Sequence, residues 1–167
     1  MLLVVIRHAI AMTREAFAAI GADDALRPLT NDGRRRMTDG ANGLRLLVPA
    51  LDVLAASPFV RAQQTAALVA ERYGGIPIVT TAALLPDSAP AAFLSWLRTV
   101  DGDVVAVVGH EPHLGMLVTW LLTGVAESRV PLRKGGACLL DVASPPRKGE
   151  AMLQWALTGS QLRRIGR

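Results

Sequence analysis

At 167 residues the chain suits one domain with a sizeable buried core, and its single cysteine, Cys138, excludes an internal disulfide or a thiolate metal cluster. Apolar residues make up 51% and aromatic residues only 4%, so the core should be Ala, Leu and Val; no apolar run reaches the roughly 18 residues of a membrane span. A formal charge of +4 suits an anionic ligand, but no basic–aromatic interleaving points to nucleic acid.

Sparse cysteine fits a reducing cytoplasm, and the first residues lack the basic region and small-residue cleavage site of a signal peptide. Leu2-Leu3-Val4-Val5-Ile6 reads as a fully buried strand, because no alternation marks a solvent face. Residues 12–25 suit a flap over its end, with a short helix over 15–20 closed by Gly21-Ala22-Asp23-Asp24. Arg27-Pro28-Leu29-Thr30 is extended, since Pro28 disfavours helix before it. Thr30 then caps a helix whose apolar stripe is Met37, Ala41, Leu44 and Val48. Gly33, Gly40 and Gly43 weaken that helix on propensity, so packing must hold it.

Residues 51–56 form the second predicted strand. Ser57-Pro58 reads as a helix start, with Ser57 as N-cap and Pro58 at the first helical position, and the helix stops at Gly74-Gly75. Ile76-Pro77-Ile78-Val79 is a short strand that Pro77 assigns to an edge. A helix from Ala91 to about Thr99 precedes a fourth strand over 103–109. His110-Glu111-Pro112 opens the next helix, with Leu114, Leu117, Val118 and Leu121 as its buried face. Residues 137–142 and 152–157 read as two strands joined by the Pro145-Pro146-Arg147-Lys148-Gly149 turn. Strands interleaved with helices predict an α/β fold with a mostly parallel sheet covered on both faces.

The strand ends carry the chemistry. The first strand runs into Arg7-His8, the second into a helix bearing Arg61, and the fourth into His110. In a parallel sheet these groups converge on the edge where α/β proteins bind ligands. Arg61 in the first turn opposes the helix dipole, a conflict that a bound anion would reconcile. Neighbouring guanidiniums lower a histidine pKa, which keeps an imidazole neutral and nucleophilic, and they can hold the equatorial oxygens of a phosphoryl group. No carboxylate cluster or His-x-x-x-His pattern supplies a metal site, so no metal or other cofactor is implied.

Arg7-His8-Ala9 resembles the Arg-His-Gly signature of the histidine phosphatase superfamily, which includes phosphoglycerate mutases. Arg27-Pro28-Leu29-Thr30-Asn31-Asp32-Gly33, the stretch from Ser57 to Ala66, and Val107-Val108-Gly109-His110-Glu111-Pro112 fit later motifs of that family in order. The absence of large insertions, and Leu132-Arg133-Lys134-Gly135-Gly136 before a strand, are similar to its SixA branch of phosphohistidine phosphatases. The resemblance spans nearly the whole chain. It implies a single phosphoglycerate mutase-like domain over residues 1–167, a three-layer α/β/α sandwich with one antiparallel strand. It also implies His8 as the phosphorylated nucleophile, with Arg7, Arg61 and His110 as the phosphate pocket.

Ala9 departs from the usual Gly and restricts the backbone beside the nucleophile. Ile10 stands where many relatives have a polar residue. No general-acid motif is clear; Glu111 and Asp87 are the nearest candidates, Glu111 more simply as a helix cap and Asp87 as a turn residue. A missing acid favours a phosphohistidine substrate, whose imidazole can leave already protonated, whereas an alkoxide needs a proton donor. His113 reads as a helix-surface residue rather than a pocket-rim one, Arg34-Arg35-Arg36 as a solvated face rather than a docking patch for an acidic protein, Lys134 as either a substrate contact or a surface lysine, and Cys138, Trp96, Trp120 and Trp155 as packing. The expected protein is a cytoplasmic, monomeric phosphatase of a phosphohistidine-bearing signalling or phosphotransfer protein, with no nucleic-acid or membrane partner. The alternatives are a phosphatase of small phosphoesters and a non-catalytic phospho-ligand binding module. A mutase is disfavoured because no insertion offers a lid.

Overall fold

The computed structural model describes all 167 residues. Six strands, β1 (Leu2–Arg7), β2 (Val53–Ala56), β3 (Ile78–Thr80), β4 (Val104–Gly109), β5 (Ala137–Asp141) and β6 (Met152–Leu157), form one sheet in the order β3-β2-β4-β1-β5-β6. The first four run parallel, and β5 pairs antiparallel with both β1 and β6. The most apolar strands, β1 and β4, lie side by side at the centre, where both faces are covered. β3 is an edge strand, as Pro77 indicated.

Successive side chains of β1 point to opposite faces, which divides the core in two. Val4 and Ile6 pack with Met37, Ala41 and Leu44 of α2 (Asn31–Leu47), Ala62, Ala66 and Val69 of α3 (Val60–Arg72), and Leu162 of α6 (Gly159–Ile165). Leu3 and Val5 pack with Phe93 and Leu97 of α4 (Pro90–Leu97) and with Leu114, Leu117 and Leu121 of α5 (His113–Thr123). The result is the three-layer α/β/α arrangement of the phosphoglycerate mutase type. Cys138 is buried in β5.

Local signals explain most boundaries. Thr30 accepts the Gly33 N–H at 2.9 Å and caps α2. Gly33 lies where the start of α2 crosses the chain after β1, and a Cβ there would overlap the Ile10 carbonyl. The 12–25 segment holds α1 (Arg14–Ala18), shorter than expected, then a turn through Gly21 in the left-handed region and a 3-10 turn at Asp24–Leu26.

Three expectations change. Ser57 does not cap α3: the helix begins at Val60 after a bend, and the Ser57 side chain turns inward. α5 begins at His113 rather than His110, so His113 falls on the same stripe as Leu117 and Leu121. It is therefore buried, not on the surface. Helix α6 follows β6 where no helix was expected. Its signal is a capping box in which Thr158 accepts the Gln161 N–H at 3.3 Å and the Gln161 side chain accepts the Thr158 N–H at 2.9 Å.

Candidate active site

The C-terminal ends of β1, β2 and β4 meet at one rim of the sheet. Arg7, His8, Arg61 and His110 all line a single cavity there of about 330 Å³, together with Arg27, Glu111 and Lys134. The four residues expected to converge are therefore together. The His8 and His110 rings lie 5.2 Å apart, centroid to centroid.

His8 is held tightly. Its N–H donates to the Gly109 carbonyl at 3.0 Å, and its own carbonyl accepts the Gly135 N–H at 3.2 Å. Its Nδ1 lies 2.7 Å from the Ala9 carbonyl. A carbonyl can only accept, so Nδ1 carries the proton and Nε2 carries the lone pair. Nε2 makes no hydrogen bond to the protein. Burial, and then the charges of Arg61, Arg7 and Arg27, push the His8 pKa down to about 3 against the pull of the Ala9 carbonyl. The imidazole is neutral at pH 7. Ala9 is fixed by its N–H donating to Thr65 Oγ1 at 3.0 Å, and the Thr65 hydroxyl donates to the Arg61 carbonyl at 2.7 Å. The turn that bears His8 is thus tied to α3.

His110 is 2% exposed. Its Nε2 lies 2.8 Å from Ser57 Oγ, and its Nδ1 has no partner in the protein. Burial, then the charges of His8 and Arg61, lower its pKa to about 2. Phe59 meets the His110 ring edge-on at 5.2 Å and stacks under the Arg61 guanidinium at 4.9 Å. Arg7 donates to the Leu132 carbonyl at 2.7 Å.

Arg61 is buried to 2% exposure, and its partner is Asp24. Nη1 donates to the Asp24 carbonyl at 2.8 Å, and Nη2 sits 3.1 Å from Asp24 Oδ2. Arg27 Nε donates to Asp24 Oδ1 at 2.7 Å, and Arg27 Nη1 donates to the Met12 carbonyl at 2.7 Å. Burial raises the Asp24 pKa, but the Arg27 hydrogen bond and the charges of Arg61, Arg27 and Arg14 outweigh it and hold the carboxyl below its ordinary range. A carboxylate of the protein itself thus answers the dipole conflict at Arg61.

The two acid candidates separate. Glu111 lines the cavity, but Oε1 accepts the Leu132 N–H at 2.9 Å and Oε2 accepts the Gly115 N–H at 3.3 Å. Burial raises its pKa against these amides and Arg7. Asp87 is exposed in a turn and does not line the cavity, where its neighbour Pro86 does. Sequence reasoning passed over Asp24, Arg27, Ser57 and Thr65 as site residues. Arg27, Ser57 and Thr65 lie inside the motif stretches 27–33 and 57–66, and the i,i+3 spacing of Asp24 and Arg27 is the signal for Asp24. His113 stays outside the cavity, buried with neither ring nitrogen hydrogen-bonded.

The sequence profile of the histidine phosphatase superfamily (branch 1) matches residues 3–85. An uncharacterized protein of Picosynechococcus sp. is 32% identical over 152 residues, covering 89% of this chain and 86% of its own. The chain belongs to the histidine phosphatase superfamily. Among solved structures it is similar to the protein histidine phosphatase SixA complexed with tungstate, with a TM-score of 0.83, 23% identity, and 97% and 99% of the two chains covered. It is also similar to the alpha-ribazole phosphatase of Shigella flexneri, with a TM-score of 0.69, 18% identity, and 95% and 97% covered. No helix is long and apolar enough to cross a membrane.

Proposed function

We propose that the protein is a metal-independent phosphatase that works through a phosphorylated His8, and that its favoured substrate is phosphohistidine on a protein. The observation that carries this reading is the His8 tautomer. Nδ1 is committed to the Ala9 carbonyl, which leaves the Nε2 lone pair unpartnered in a cavity ringed by Arg7, Arg27 and Arg61.

His8 Nε2 attacks phosphorus in line, and the bond from phosphorus to the substrate nitrogen breaks as the bond to His8 forms. The guanidiniums of Arg7 and Arg61 hold the equatorial oxygens, where charge is spread in the transition state. If the Ser57 hydroxyl donates to His110 Nε2, then Nδ1 of His110 carries a proton, and a phosphoryl oxygen on His8 supplies the partner it lacks. Water then attacks phospho-His8. A P–O bond forms, the P–N bond breaks, the pair returns to Nε2, and the protons of the water leave with the phosphate product.

The substrate assignment rests on the acids. Each Glu111 oxygen accepts a backbone N–H, contacts that favour its ionised form, and Asp87 lies outside the cavity lining, which supports a substrate whose leaving group needs no acid. A phosphoimidazole protonated on its second nitrogen leaves as neutral imidazole and needs no such acid.

Incubation with a radiolabelled phosphodonor should give an acid-labile, base-stable label on His8. With EDTA present, a phosphohistidine protein should be hydrolysed in preference to sugar phosphates. Full turnover by His8→Ala would overturn the nucleophile assignment. One observation favours a second reading: burial raises the pKa of Glu111 inside the cavity, as an acid for small phosphoesters would require. A preference for sugar phosphates would select that reading, and binding without any label would select a non-catalytic module.

A further inference from the structure

Beside the catalytic cavity lies a second, open groove of about 510 Å³. Its lining includes five cations, Arg7, Arg36, Arg133, Lys134 and Arg163, and no carboxylate. Arg7 and Lys134 line both cavities, so the groove continues directly from the place where the phosphoryl group would sit. The cations come from four separate stretches: the end of β1, α2, the loop before β5, and α6. Of the five, only Arg36 has an acidic partner, Asp32 at 2.7 Å; Arg7, Arg133, Lys134 and Arg163 form no ion pair.

Four unpaired cations around one groove repel each other and are costly to assemble unless something anionic uses them. The opposite end of the parallel strands carries the reverse charge, with Asp52, Asp101 and Asp103 lining a cavity by the start of β4. The molecule is therefore polarised along the strands, with its positive pole at the candidate active site. Such a field orients and accelerates the approach of an acidic partner. The groove holds no aromatic ring on which a base could stack, which separates it from a single-strand nucleic-acid site. A lone phosphoryl group occupies only the Arg7 end; the remaining cations call for further negative charge carried on the same ligand.

We propose that this groove seats acidic residues flanking the phosphorylated side chain of a protein substrate. The inference rests on the phosphoprotein reading above and adds its recognition rule: carboxylates adjacent to the phosphorylated residue lie along Arg133, Lys134 and Arg163. The helix α6, absent from the sequence reading, acquires a role as carrier of Arg163.

The test separates binding from turnover. Peptides bearing a stable triazole phosphonate in place of phosphohistidine, flanked either by glutamates or by alanines, are titrated against the full chain by fluorescence anisotropy. The glutamate peptide should bind about ten-fold more tightly at low salt, and the advantage should fade as ionic strength rises. In Arg133→Ala/Arg163→Ala the advantage should shrink to about two-fold or less, while affinity for the alanine peptide stays unchanged. Single variants Arg133→Gln and Arg163→Gln give intermediate values and guard against misfolding of the double variant. Equal affinity for the two peptides, or an advantage that survives the double substitution, overturns the proposal. If His8 takes no label but the peptide preference and its loss are seen, the groove stands and the catalytic reading falls. If His8 is labelled but flanking charge is ignored, the reverse holds.

Discussion

Asp24 grips both arms of the Arg61 guanidinium, with its carbonyl 2.8 Å from Nη1 and its carboxylate 3.1 Å from Nη2. The same carboxylate receives Arg27, so one residue of the segment over the cavity aims two of its cations. Arg61 also lines the cavity shared with His8 and His110.

Asp24→Asn keeps the shape and the carbonyl contact but removes the charge. Arg27 and Arg61 lose their aim, and kcat should fall about ten-fold. Inorganic phosphate should inhibit more strongly, because a competing anion has gone. Initial rates with phosphate as inhibitor check both. An unchanged kcat would reduce Asp24 to a bystander charge.

Ser57 is the only protein hydrogen-bond partner of the His110 ring. Ser57→Ala frees the ring to adopt the other tautomer and should lower kcat by about ten-fold with little change in KM. Ser57→Thr restores a hydroxyl and should recover most of the rate. Loss of KM alone would assign Ser57 to substrate binding rather than to orienting His110.

All three histidines are held below the ordinary imidazole pKa, chiefly by burial: His8 at about 3, His110 at about 2, and His113 in the same direction. They are neutral in the folded chain, while in the unfolded chain they take up protons below about pH 6.5. The stability they contribute is therefore complete above that pH and drains away as pH falls toward the folded values. The limiting slope is about 1.4 kcal/mol per pH unit for each of His8 and His110. Urea unfolding between pH 7.5 and 5 should show a steep loss, and His8→Gln/His110→Gln should flatten it. Equal slopes would mean that the histidines titrate alike in both states.

Two glycines of α2 should behave oppositely. A Cβ at Gly33 would overlap the Ile10 carbonyl, so Gly33→Ala should destabilise by about 1–3 kcal/mol and disturb the turn after His8. A Cβ at Gly40 would meet the Leu162 Cβ at an ordinary 3.9 Å, so Gly40→Ala should stabilise the helix by about 0.5–1 kcal/mol. Urea midpoints for both variants decide this. A tolerated Gly33→Ala would mean that the backbone near Ile10 yields.

The sequence by itself determined the sheet and the convergence at its rim. Unbroken apolar runs in β1 and β4 demand burial on both faces, and parallel strands deliver whatever follows them, here Arg7, His8 and His110, to one edge. Tertiary structure decided the rest. The choice of His8 Nε2 over Nδ1 depends on a carbonyl beside the ring, and the aim of Arg61 depends on Asp24, thirty-odd positions away. Ser57 changed from helix cap to histidine partner because α3 begins after a bend, and His113 went inside because α5 begins a turn late. Hydrophobic periodicity reports which face of an element is dry, but it carries no record of which polar atom lies within 3 Å of another. Only the folded chain specifies that, because such contacts join residues whose separation along the sequence has no bearing on their distance in space.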